Sequence, residues 1–111
     1  MAKEVQARNC KTDKEIEIAI EGIANSCKNF KVGKTGETIQ DRGNQPDYQN
    51  YDNIQSLFSS NSSALISTLE KTFINRFKDY TNNDNDKGGR QSLFDKMTDS
   101  DVYHLYVVWN D

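Results

Sequence analysis

Proline is nearly missing from this chain: Pro46 stands alone among 111 residues. Histidine also occurs once, as His104, and cysteine only twice, as Cys10 and Cys27. A pair of cysteines makes no disulfide framework, and no CxxC pair or Cys/His cluster is present to hold zinc. The expectation is two free thiols in a reducing compartment. No apolar run reaches the roughly 18 residues needed to cross a bilayer. The first residues also lack the charged, apolar and small-residue pattern of a secretory signal. A cytoplasmic protein with no membrane contact is therefore expected. A basic excess is lacking as well. The net charge is -3 and the pI about 5.1, which argues against a general nucleic-acid coating protein. The charge is uneven, with 8 basic and 7 acidic residues through Arg42 and 6 against 10 beyond it. Any nucleic-acid contact must then rest on a local patch and weaken steeply with salt.

What remains reads as one domain spanning residues 1–111. Apolar residues make up 34% and mean hydropathy is -0.89, so a compact core carries long polar loops. Residues 1–11 have no periodicity and read as a flexible terminus. Thr12-Asp13-Lys14-Glu15 is a capping box. Behind it Ile16, Ala19, Ile20, Ile23, Ala24 and Cys27 recur at helical spacing, which predicts a helix over 13–27. The alternation of Glu15–Glu21 competes as a strand signal, but the cap and the longer stripe favour helix.

Asn53–Phe58 reads as a strand, and the Ser/Asn cluster after it supplies a turn and a cap. A long helix follows with Leu65, Leu69, Phe73, Phe77 and Tyr80 along one seam, and Ile66 and Ile74 beside it. Residues 81–91, rich in Asn, Asp and Gly, predict a flexible loop, and a short helix is expected around Leu93, Phe94 and Met97. Val102–Trp109 is dense in aromatic and β-branched residues and is the strongest strand signal in the chain. The fold class expected is α/β (α+β), a small, mainly antiparallel three-stranded sheet flanked by helices.

The chemistry concentrates in Asn29–Arg42, N-F-K-V-G-K-T-G-E-T-I-Q-D-R. It predicts a short strand, a glycine turn at Gly33, and a short helix capped by Thr38 and ending near Arg42. Lys31, Lys34 and Arg42 surround that turn, an arrangement able to hold a phosphate. Gly33-Lys34-Thr35 is not a P-loop, because Lys28 stands where the first glycine would be required. Phe30–Thr35 with Arg42 resembles the second half-motif of the GIY-YIG nuclease superfamily, most closely its phage and mobile-element branch. Leu69-Glu70-Lys71-Thr72-Phe73 is similar to that family's glutamate helix. The resemblance covers roughly residues 29–80. The first half-motif is missing from its usual place before this strand. V-Y-H-L-Y-V-V-W at 102–109 resembles that strand relocated to the far end of the chain, which predicts that it pairs with Phe30–Gly33.

The resemblance implies a metal-dependent endonuclease, a hydrolase acting on phosphodiester bonds. DNA is expected as partner ahead of RNA, with Mg²⁺ (or Mn²⁺) held by Glu70. Arg42 would be the catalytic arginine, and Tyr103 or Tyr106 would stand in for the first-motif tyrosine. Lys31 occupies the place of the second-motif tyrosine, and a tyrosine or Lys31 would assist deprotonation in catalysis. Lys34 and Thr35 would bind nucleic acid, with Tyr48 and Tyr51 supplying a phenol or covering the core. The residues by themselves leave plainer alternatives open. Glu70 would serve equally as a boundary glutamate paired with Lys71 or Lys78, and Arg42 as a cation at a helix C-terminus. His104 is a further base candidate. A non-catalytic module binding nucleic acid or protein on the same fold is the alternative function.

Overall fold

The computed structural model describes residues 1–85, 97 and 99–111. Strand β1 (Lys3–Val5) is followed by helix α1 (Asp13–Ser26), strand β2 (Asn29–Thr35) and the short helix α2 (Ile39–Gly43). After a single turn of 3-10 helix at Pro46–Tyr48 come β3 (Asn53–Ser60), α3 (Ser63–Arg76) and β4 (Tyr103–Asn110). The architecture is α+β. The sheet has four strands in the order β1-β3-β4-β2, not the three expected. It is mixed, because β1 lies parallel to β3 while β4 runs antiparallel to both neighbours.

The additional strand comes from residues read as a flexible terminus. Three residues are too few to show periodicity, and this segment is fixed by distant partners instead. Lys3 N–H bonds Asp52 O at 2.8 Å, and Ala2 N–H bonds Gly43 O at 3.1 Å. Glu4 pairs with Ile54 in register.

The helices begin where their caps stand. Thr12 Oγ1 accepts from Glu15 N–H, and Glu15 reaches back to the amide of Lys11 at 2.7 Å, one residue before the cap. Ile16, Ala19, Ile20, Ile23 and Ala24 are buried while Ile18 is exposed, as helical and not strand periodicity requires. Ser62 caps α3 by accepting from Leu65 N–H. The buried stripe of α3 is Ile66, Leu69, Glu70, Phe73 and Ile74, whereas Leu65, expected in the seam, is exposed. A strict four-residue repeat rotates about 40° per step around a 3.6-residue helix, so it cannot stay on one face. The helix also stops at Arg76, short of Phe77 and Tyr80.

β4 is the centre of the sheet. It pairs with β2 from Asn29↔Asn110 to Thr35↔His104, and with β3 on its other side. The expected pairing of the C-terminal strand with Phe30–Gly33 is therefore present. Alternation along β4 divides two cores. Tyr103, Leu105 and Val107 join Phe30, Val32 and the apolar faces of α1 and α3 on one side. Tyr106 and Val108 join Ala2, Ile39, Tyr48 and Ile54 on the other.

The outer edge of β2 is covered by residues expected in a flexible loop. Phe30 N–H bonds Asn82 O and Asp84 N–H bonds Phe30 O. Further along, the Asn85 side chain takes both the N–H and the C=O of Val32, at 2.9 and 2.8 Å. A side-chain amide here does what a neighbouring strand would do. The helix expected around Leu93 and Phe94 lies outside the described residues.

Candidate active site

Gly33 is not a turn. β2 runs straight through it to Thr35, and its missing side chain serves a close approach instead. Register places Gly33 opposite Tyr106, whose ring lies against it. A Cβ at Gly33 would overlap Cζ and Oη of that ring and approach Cε1 to 2.8 Å. Tyr106 is fully buried. Its hydroxyl accepts from Arg42 Nε at 3.0 Å and is hydrogen-bonded to the Tyr48 hydroxyl. Three separated parts of the chain thus meet over one glycine.

Arg42 reaches this point because Thr38 caps α2, with Asp41 N–H donating to its Oγ1 at 3.2 Å, and the helix ends one residue after the arginine. The guanidinium lies 5.3 Å from the Tyr48 ring centroid and 5.8 Å from that of Tyr106. Nη1 donates to Gln45 Oε1 at 2.9 Å and is 3.6 Å from the Glu37 carboxylate. Gln45 Nε2 donates to the same Glu37 oxygen at 2.6 Å, which closes a small network. Lys31 completes the cluster, with Nζ 5.7 Å from the Tyr48 ring centroid.

Burial works against the Arg42 charge, but the phenols of Tyr106 and Tyr48 outweigh it and raise the guanidinium's pKa. Burial pushes the Tyr106 phenol well above its ordinary value; Tyr48 adds to this and Arg42 opposes it. At neutral pH Tyr106 is therefore a protonated hydroxyl, suited to positioning.

Glu70 belongs to a second cluster. It lies between the buried Ile66 and Ile74 on α3, as its spacing implies. Among the described residues its ion-pair partner is Lys34 at 3.8 Å, not Lys71 or Lys78. Lys34 Nζ also donates to Ser67 Oγ at 3.2 Å. Both charged residues are buried, each about 7% exposed. Lys34 alternates with Gly33 and pairs with Leu105, so it points to the α1/α3 face of the sheet. The expectation that Lys34 and Arg42 surround one turn at Gly33 is corrected: the Lys34–Glu70 pair lies on one face of β2 and the Arg42–Tyr106 cluster on the other.

The remaining candidates separate in the same way. Tyr103 packs in the α1/α3 core, pairs with Ser60 and accepts from Ser100 N–H at 3.0 Å, away from Gly33. Of the two first-motif tyrosine candidates, only Tyr106 meets Arg42. Tyr51 packs on Tyr48 and donates to Asp84 at 2.6 Å. Burial, then the Asp84 bond, raises its phenol. Thr35 is buried and accepts from Glu37 N–H. Glu37 and Gln45, the polar bracket around Arg42, were not expected. Their positions five residues before Arg42 and three after it were the available signal.

Among the described residues, no three His, Cys, Asp or Glu side chains stand together to hold a metal. Glu70 is one hard oxygen ligand beside a lysine. That donor set suits Mg²⁺ shared with substrate phosphates and water, and not a metal held by protein ligands alone. Also among the described residues, no helix is long and apolar enough to cross a membrane. Comparisons with protein-family models, with curated proteins and with solved structures return no match.

Proposed function

We propose that this protein is a metal-dependent endonuclease of the GIY-YIG kind, acting on DNA. The observation that carries the reading is the placement of Tyr106 against Gly33 with its hydroxyl on Arg42 Nε. A strand from the far end of the chain supplies the tyrosine hydroxyl that Arg42 Nε meets over Gly33.

Arg42 is the anion-binding group of this mechanism. Its guanidinium has five N–H donors. Tyr106, Tyr48 and Gln45 do not exhaust them, so the fork retains capacity for phosphate oxygens. The phenols and Glu37 fix its direction before substrate arrives, which is what stabilises developing charge without reorganisation. Glu70 lies on the opposite face of β2 from Arg42. Glu70 would be the protein ligand of Mg²⁺, and the ion would supply Lewis-acid stabilisation of phosphate charge.

Conversion of supercoiled plasmid to nicked circles in Mg²⁺, and none in EDTA, is the expected result. A second reading has its own observation. The buried Glu70 carboxylate is in an ion pair with Lys34 on the face of β2 away from Arg42, which favours a module that binds DNA without cutting it. Plasmid binding with no nicking in Mg²⁺ or Mn²⁺ would decide for that module.

A further inference from the structure

His104 is unused by the site as described, yet it shares its face. It precedes Tyr106 by two residues on β4, so both side chains leave the same side of the sheet, about 7 Å apart along the strand. Its cross-strand partners are Thr35 on β2 and Ser59 on β3. Its Nδ1 is 2.9 Å from the hydroxyl of Ser56. Ser56 is itself buried and pairs in register with Tyr106. One serine therefore stands beside the tyrosine and fixes the imidazole. His104 remains half-buried, in contact with solvent, whereas Tyr106 has none.

A hydrolytic site needs an acceptor for the proton of the attacking water. The Tyr106 and Tyr48 hydroxyls are bonded to each other. Lys31 lies over the Tyr48 ring. We propose that His104 is the general base of this site, its Nδ1–H donating to Ser56 Oγ so that Nε2 presents a lone pair. The inference rests on the endonuclease reading. Nε2 takes a proton from water as the water oxygen bonds to phosphorus. The bond from phosphorus to the leaving sugar oxygen breaks, its electron pair stays on that oxygen, and solvent protonates it. The imidazolium then returns its proton to solvent.

The electrostatics agree with this role. Burial lowers the imidazole pKa below 6.5, and Glu4 on β1 opposes the shift. Its neighbours on β2 and β3 are Thr35, Ser56 and Ser59, none of which titrates near neutrality. The neutral, proton-accepting form therefore prevails at pH 7.

The test uses two substitutions that separate base from scaffold. His104→Asn places an amide N–H where Nδ1–H was and keeps the Ser56 bond, but has no Nε2. His104→Gln places its amide near Nε2 and loses the Ser56 bond. Nicking should fall at least about 100-fold in both, with plasmid binding retained, since positioned bases contribute roughly 10²–10⁴. Wild-type nicking should rise with pH along a limb that coincides with the imidazole titration followed by NMR. Wild-type nicking by His104→Asn overturns the inference and leaves the endonuclease reading standing. So does a limb displaced from the NMR titration, a comparison that does not depend on either variant folding. Absence of nicking by the wild type in Mg²⁺ or Mn²⁺ overturns both.

Discussion

Replacing Gly33 with alanine adds one methyl at the most constrained point of the molecule. That methyl would occupy space held by Cζ and Oη of Tyr106. The ring cannot move aside freely, because it is fully buried and its hydroxyl holds Arg42 and Tyr48. Overpacking of this sort costs about 1–3 kcal/mol. Displacing the ring also strains a charge-assisted hydrogen bond worth about 1.5–3 kcal/mol. Against these stands a gain of about 0.4–1 kcal/mol from a less flexible unfolded chain. A net loss of about 2–4 kcal/mol follows, which lowers Tm by roughly 8–16 °C for a domain of this size. Thermal unfolding followed by circular dichroism measures it. The same substitution in a Tyr106→Ala background should cost far less, since the truncated ring leaves room for the methyl. Gly33→Ala within about 0.5 kcal/mol of wild type would refute the reasoning, because that is the range of a substitution touching nothing.

Other perturbations follow from the same geometry. Deleting residues 102–111 removes the strand that pairs on both sides, so the remainder should show no cooperative melt; a folded truncation would remove β4 from the core. Glu70→Gln should lower stability by about 3–5 kcal/mol, as half of a buried ion pair is lost, and Lys34→Met in the same chain should restore much of it by calorimetry. Arg42→Ala should weaken DNA binding and reduce the slope of log affinity against log salt by about one, while Lys34→Ala, buried on the other face, should leave the slope unchanged. The folded-state pKa of His104 lies below that of the unfolded chain, so the unfolded state takes up its proton first. Stability should accordingly fall as pH drops below about 6.5, and His104→Asn should flatten that decline in urea titrations.

The parts of the fold legible in the sequence are those whose signal is local. Thr12, Thr38 and Ser62 cap helices at the positions their hydroxyls imply. β4 is dense enough in β-forming residues to be recognised and paired. β1 was not legible because Lys3–Val5 is held by backbone partners some fifty residues away. Asn85 likewise reads as loop chemistry, yet its amide completes a strand edge. In the site, Gly33, Arg42 and Tyr106 were legible as a set once the C-terminal strand was placed against β2. The division between the two faces was not, because Gly33 was read as a turn. A turn would leave Lys34 free to point toward Arg42, whereas a continuous strand sends it to Glu70.

The most direct measurement of the central claim is single-turnover plasmid nicking by Arg42→Lys beside the wild type, in Mg²⁺. Lysine keeps the charge but has no planar fork to bridge Tyr106, Gln45 and a phosphate. Cleavage by the wild type and a loss of at least about 100-fold in the lysine variant are expected, with DNA binding largely kept. Equal nicking by the two proteins, or none by the wild type, would contradict it.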